Sequence, residues 1–216
     1  LAIATRLKGR VRRTILWHAQ HRDERPREGE ASIATAVHID TDFNALDATG
    51  VARLIAKNAV DDDVALDGLA GAIEAGHRFA IVNAWRNART EPVARAPLGL
   101  LATSPDAGQF PRDAPDLRAR RWFVFPGMTT DECLLFKQYD RSLAHASDVW
   151  HCALGAVGGI DAPPRRSFEV RALILFDDLV PPHLDRFSRR VTSQLSYGES
   201  ACFCGEQADR RARQLR

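Results

Sequence analysis

Residues 121–178 constrain the fold most, because they read as one strand after another with no helical spacing between them. "RRWFVFPGM" is a short strand ended by Pro-Gly. "ECLLFKQYD", "SDVWHCALG" and "SFEVRALILFDD" follow as three more, separated by turn-rich pieces. A parallel doubly wound sheet needs a crossover, usually a helix, between successive strands. This half of the chain has none, so that fold fits poorly. Upstream, "TRLKGRVRRTILWHAQHRD" predicts a strand over about residues 10–19, running into an exposed loop at "RDERPREGE". "ASIATAVHIDTDF" predicts a second strand, and "HRFAIVNAWRNA" a third that is largely apolar. Between them "TGVARLIAKNAV" and "VALDGLAGAIEAG" have helical spacing, with the Asp61–Asp63 run able to cap the second helix. Thr103–Asp116, with Pro105, Pro111 and Pro115, reads as a loop. The expected class is mostly β with flanking helices: an antiparallel sandwich or barrel with the helices packed outside.

The 216 residues suit one domain, placed at residues 1–180, with a polar, arginine-rich tail over 181–216. Net charge is +2, which demands neither nucleic acid nor membrane as a partner. Both arginine-rich runs of the tail are interrupted by acidic residues, and aromatic–basic interleaving is absent. No apolar run approaches the ~18 residues of a membrane span. Cys133, Cys152, Cys202 and Cys204 form no CxxC pair, so reduced thiols and a cytoplasmic location are expected. The opening "LAIATRLKGR" lacks both a methionine and a signal-peptide core, so the domain is expected to be incomplete at its N-terminus.

The chemistry begins at "TAVHIDTDF". His38 and Asp40, two residues apart on an extended segment, aim an imidazole and a carboxylate at one spot. Two histidines and one carboxylate occupy one face of an octahedral metal and leave three positions open, as in non-haem Fe(II) oxygenases. The same pair also serves as a plain polar pair at a strand edge. For a third ligand, His77 follows a helix at "EAGHR", His145 sits in the turn "RSLAHASD", and His183 follows Pro-Pro. His151, in the strand-like and apolar-flanked "SDVWHCALG", is the best candidate, though a core histidine with one hydrogen bond fits that setting too. In "RRSFEVRALILF", Arg165, Ser167, Glu169 and Arg171 share one strand face. Arginine's planar fork suits an anionic carboxylate, and an internal Arg–Glu pair is the alternative. Asn83, Trp85 and Arg86 near one strand end, and Lys137 and Tyr139 on one face of another, could line a small-molecule pocket or anchor strand termini.

Taken in order, "VHID" (37–40), "VNAWRN" (82–87), "RWFVFPGMTTDECLLFKQYD" (121–140), "WHCALG" (150–155) and "PRRSFEVRALILF" (164–176) resemble the CmcJ/NvfI/AsaB-type hydroxylases and desaturases of fungal and bacterial secondary metabolism. The resemblance spans roughly residues 10–177, and "FPGMTTDECLLFKQYD" is its most specific block. It implies a double-stranded β-helix core of the jelly-roll, cupin-like kind. It further implies Fe(II) held by His38, Asp40 and His151, with 2-oxoglutarate and O2 as cosubstrates. Arg165 and Arg171, with Ser167 between them, match the segment expected to meet 2-oxoglutarate, without deciding which arginine does so. The implied reaction is hydroxylation or desaturation of a small molecule at the iron centre, by a monomer or homodimer. Arg166, Arg141, Thr41, Asp42 and the pair Ala153-Leu154 depart from the family pattern. They leave the metal set intact and bear on substrate identity. Two rival readings use the same residues: a cupin-like metal-dependent isomerase or hydrolase, and a degenerate homologue that binds a small acid without catalysis.

Overall fold

A computed structural model describes residues 8–60, 66–101, 121–145, 149–155 and 161–187. In chain order the strands are β1 (Val11–Asp23), β2 (Ala31–Ser32), β3 (His77–Asn87), β4 (Leu98–Leu101), β5 (Trp122–Val124), β6 (Leu134–Asp140), β7 (His151–Ala153) and β8 (Arg166–Leu179). Two helices, α1 (Ala48–Lys57) and α2 (Leu66–Glu74), lie between β2 and β3. The expected loop over 103–116 and the expected aspartate cap of α2 fall outside the described residues. The strands form a five-stranded sheet in the order β2-β1-β8-β3-β6 and a three-stranded sheet in the order β5-β4-β7. Every pairing is antiparallel except β1 with the short β2. The mostly antiparallel, β-rich architecture expected from the sequence is borne out.

The second expected strand is the main correction. Only Ala31–Ser32 joins the large sheet, and residues 34–38 instead run along the edge of β7. There the Ala153 N–H donates to the Ala34 carbonyl (2.7 Å), and His38 and His151 exchange both backbone hydrogen bonds (3.1 and 3.0 Å). His38 and Asp40 are therefore extended yet held by an isolated bridge to the small sheet rather than by a ladder. Sequence reading also missed β4, whose four buried residues are too few to show a period.

The inner face of the large sheet divides into two apolar territories. At one end Ile15 and Trp17 of β1, Phe79 and Ile81 of β3, Tyr139 of β6, and Leu173 and Leu175 of β8 pack on α1 and α2 through Val51, Ala52, Ile55, Leu69 and Ile73. Asp47 starts α1 by accepting from the Gly50 N–H (2.6 Å), which satisfies one of the unpaired donors of the first turn. At the other end Trp85 and Phe136 pack against Leu98 and Leu100 of the small sheet and Met128. Between these territories the inward positions turn polar: Asn83 of β3 and Arg171 and Glu169 of β8, with Asn83 directly opposite Arg171.

Two bulges set which side chains face inward. In β1 the register slips between Trp17 and Gln20, and His18 takes a left-handed backbone (φ 52°). The extra residue switches the inward positions from odd to even, so both Trp17 and Arg22 point to the interior. In β6 the slip falls at Gln138: Lys137 opposes Val82 while Tyr139 opposes Ile81. Lys137 and Tyr139, expected on one face, are thereby separated. Tyr139 enters the helix-packed core, and the Lys137 ammonium lies 2.9 Å from Asp140 on the outer face, beside Arg78.

Residues 181–187 still belong to the packed body. The Arg141 guanidinium donates to both oxygens of Asp185 (2.9 and 2.7 Å) and to the carbonyls of Ile73 and His77, and Phe187 joins the helix-side core. Arg141 and Asp185 are both buried. Removing one partner leaves an uncompensated buried charge, which costs roughly 3–5 kcal/mol. Arg141→Ala and Asp185→Ala are each expected to lower unfolding free energy by about that amount in urea titrations, with the denaturant slope unchanged.

Candidate metal centre

The structure brings three of the sequence-predicted residues to one point. One ligand atom each from His38, Asp40 and His151 lies within 4.8 Å of the others. His38 Nε2 is 3.6 Å from Asp40 Oδ1 and His151 Nε2 is 3.9 Å from Asp40 Oδ2. The two rings are tilted by 48° with centroids 4.4 Å apart. His38 and Asp40 come from the 34–40 segment and His151 from β7, so the backbone bridge between His38 and His151 is what brings the two imidazoles together.

Each imidazole is oriented through its other nitrogen. His38 Nδ1 is 2.8 Å from the Ala36 carbonyl and His151 Nδ1 is 3.2 Å from the Val149 carbonyl. A carbonyl only accepts, so both Nδ1 atoms carry the proton and both Nε2 lone pairs are free for a metal. Gln138, turned inward by the β6 bulge, ties the two halves together. Its amide NH2 donates to the Val149 carbonyl (2.9 Å), and its carbonyl accepts from the Asp40 N–H (3.2 Å). Sequence reading passed over Gln138, since uniform alternation along β6 assigns it no partner in this site.

Asp40 is held from the large sheet. Asn83 Nδ2 donates to Oδ2 (2.6 Å) and Arg171 Nη2 donates to Oδ1 (2.5 Å). Burial by itself would raise the Asp40 pKa. The close approach of His38, the Arg171 charge and the Asn83 amide outweigh it and hold the carboxyl well below the ordinary carboxylate range. Burial pushes His151 down to about 4, so its ring is neutral at physiological pH, the form that binds metal. At His38 burial also disfavours charge, but the Asp40 carboxylate 3.6 Å away and the hydrogen bond to the Ala36 carbonyl prevail and the pKa rises. One anionic oxygen donor and two imidazoles, with their outer nitrogens hydrogen-bonded, fit a hexacoordinate first-row metal with open positions.

The arginine-bearing strand extends the site. Arg165 and Ser167 are buried, and Arg165 has its guanidinium carbon 5.3 Å from the Trp85 ring. Its Nη1 donates to the Ala96 carbonyl (2.7 Å), and among the described residues no carboxylate lies within ion-pair distance of it. Burial lowers its pKa to about 10, leaving it a cation at neutral pH. Arg171, by contrast, is paired with Asp40 and lies 3.7 Å from Glu169. Among the described residues the buried side-chain atoms without a hydrogen-bond partner are Trp17 Nε1, Asn83 Oδ1, Trp85 Nε1, Arg165 Nε, Ser167 Oγ and Arg171 Nε. All belong to inward positions around this site, where a ligand's polar groups can satisfy them.

The remaining predicted residues lie elsewhere. Arg86 is on the outer face of β3, exposed, donating to the Thr130 carbonyl, because it alternates with inward Asn83 and Trp85. Lys137 is on the outer face too, and Tyr139 is inward but within the helix-packed core. His77 approaches the Phe176 carbonyl at the start of β3, and neither it, His145 nor His183 joins the cluster.

Comparison with known proteins finds similarity over parts of the chain. Residues 114–175 match the family model described as YDMC, an oxidoreductase/YMDC permease-like domain. The alpha-ketoglutarate-dependent dioxygenase phiK of a fungal species is 38% identical over 46% of this chain and 42% of its own length. Over that segment the chain is similar to this dioxygenase. The alpha-ketoglutarate-dependent dioxygenase tstK of Talaromyces stipitatus is 32% identical, with the same shares covered. Aspirochlorine biosynthesis protein N of Aspergillus oryzae is 33% identical over 47% of this chain and 50% of that protein. The chain thus spans about half the length, or less, of the curated relatives it matches. Among solved structures, the iron and alpha-ketoglutarate-dependent endoperoxidase NvfI superposes with a TM-score of 0.56 at 20% identity, over 81% of this chain and 66% of that one. The shared fold bears out the jelly-roll core, and the relatives bear out the family resemblance carried by the motifs. No helix among the described residues is long and apolar enough to cross a membrane.

If the three ligands act as a unit, His38→Ala or His151→Ala should weaken Co(II) binding by more than the roughly 10–100-fold typical of losing an outer-shell partner. His77→Ala and His145→Ala should leave it unchanged. Titration of the visible Co(II) bands under anaerobic conditions measures all four.

Proposed function

We propose that this chain is the core of an Fe(II)- and 2-oxoglutarate-dependent oxygenase that hydroxylates or desaturates a small, secondary-metabolite-like molecule. The observation that carries the reading is a His-Asp-His metal set beside a buried arginine with no carboxylate partner among the described residues. His38, Asp40 and His151 would hold the ferrous ion. Arg165 and Ser167 would hold the far carboxylate of 2-oxoglutarate: the guanidinium fork supplies charge and paired donors, and the hydroxyl a further one. Arg165 suits this role better than Arg171, whose guanidinium is already engaged by Asp40. Ferrous iron and 2-oxoglutarate together supply O2-driven oxidation of a C–H bond, releasing succinate and CO2.

What the protein does is hold and exclude. Each histidine Nδ1–H donates to a backbone carbonyl, which fixes the ring. Asn83 and Arg171 hold the Asp40 carboxylate ionised. Trp85 and Phe136, packed against the small sheet, give the site a dry wall that keeps reactive species from water. Asn83 and Trp85 also carry unpartnered polar atoms that can meet the cosubstrate or the substrate. A cytoplasmic enzyme with a small-molecule partner agrees with free thiols at Cys133 and Cys152.

The test is the weak visible charge-transfer band that forms when Fe(II) and 2-oxoglutarate are added anaerobically. The expected result is a band in the native protein that is lost in His38→Ala and His151→Ala. Arg165→Gln should raise the 2-oxoglutarate concentration needed for half-maximal band by about 30-fold or more, the effect of roughly 2 kcal/mol when one partner of a buried charge pair is truncated. Tight iron binding with no band at any 2-oxoglutarate concentration favours the isomerase or hydrolase reading instead.

A further inference from the structure

Resting on that reading, we infer that Arg171 serves the metal rather than the cosubstrate: it is the positioning residue that holds Asp40 in ligating geometry. Three facts converge. Asp40 lies on a segment whose sheet contact ends at the single His38–His151 bridge, so no ladder fixes its carboxylate. Arg171 and Asn83, directly opposite each other on β8 and β3, reach across from the large sheet and take one carboxylate oxygen each. The Arg171 guanidinium is itself held on two further sides: its carbon sits 5.6 Å from the Trp17 ring centroid and Glu169, fixed in turn by Arg22 Nε at 2.9 Å, lies 3.7 Å away.

The row Trp17–Arg171–Asn83 is thus one cross-strand line through β1, β8 and β3 with Asp40 docked on it. The β1 bulge is part of this device. It lets Trp17 stack under Arg171 while Arg22, five residues on, still points inward to Glu169. The arrangement also divides labour between the two arginines of the strand. Arg171 is committed to an aspartate of the protein, and Arg165 is left for an external anion.

Two effects of removing Arg171 oppose each other. Losing a nearby cation reduces repulsion of a divalent metal, while losing the clamp leaves Oδ1 unheld and the carboxylate oriented only through Oδ2 by Asn83. Geometry should win, because a metal ligand displaced by a fraction of an ångström loses its bond, whereas the Arg171 charge is already offset by Asp40 and Glu169. The experiment is anaerobic Co(II) titration of the full chain, followed by 2-oxoglutarate titration of the Co(II)-loaded protein. It compares wild type with Arg171→Gln, Arg171→Lys and Arg165→Gln, with thermal melts by circular dichroism to establish folding. Arg171→Gln is expected to weaken Co(II) binding 10- to 100-fold and to alter the visible band shape. Arg171→Lys, which keeps a donor and the charge, should recover part of the loss. Arg165→Gln should bind Co(II) as wild type does and lose affinity for 2-oxoglutarate.

Wild-type-like or tighter Co(II) binding by folded Arg171→Gln, with 2-oxoglutarate binding lost, would overturn the assignment and make Arg171 a cosubstrate ligand. If Gln fails to fold, unaltered Co(II) affinity and band shape in Arg171→Lys overturns it as well. Absence of Co(II) binding in the wild type would remove the metal centre itself, a failure recognisable before any Arg171 variant is compared.

Discussion

The ion pair between Arg171 and Asp40 is the contact on which the site depends. A carboxylate buried among apolar side chains is stable only if its charge is paired and its oxygens are hydrogen-bonded. Asp40 meets that requirement from the large sheet, through Arg171 and Asn83. Its two histidine neighbours are held by the small sheet and its edge segment. The candidate metal centre therefore joins the two sheets, and neither sheet contains it alone. Gln138 makes the same connection in miniature, with one end on the Asp40 backbone and the other on the Val149 carbonyl.

The two apolar territories of the large sheet explain why a polar row can exist there. On the helix side, Phe79, Tyr139, Phe43 and Phe187 form a continuous aromatic cluster against α1 and α2. On the other side, Trp85, Phe136 and Met128 close against the small sheet. Both exclude water from Asn83, Arg171 and Glu169, which strengthens each electrostatic contact among them and makes each unpartnered atom costly. Among the described residues the unsatisfied atoms belong to this row and its extension toward Arg165, so the cost is concentrated where a ligand can repay it.

Much of this was legible in the residues. The strand-rich second half, the two amphipathic helices, and the pairing of an HxD segment with a later apolar-flanked histidine all follow from periodicity and residue chemistry. So does the shared face of Arg165, Ser167, Glu169 and Arg171, because β8 keeps strict alternation over that stretch. Alternation failed where bulges interrupt it. Lys137 and Tyr139 parted company at Gln138, and Arg22 became an inward partner of Glu169 only because His18 inserts an extra residue.

By itself the sequence determined which side chains could ligate a metal, because imidazole and carboxylate at that spacing on an extended segment face one way whether or not a ladder forms. Only the tertiary structure decided what each arginine touches. The two are chemically identical and share a strand face, so their contacts separate only when Asp40, delivered from another segment, lands within reach of one, while among the described residues no carboxylate pairs with the other. Distances between segments far apart in the chain are set by how the sheets pack, and no local pattern encodes them.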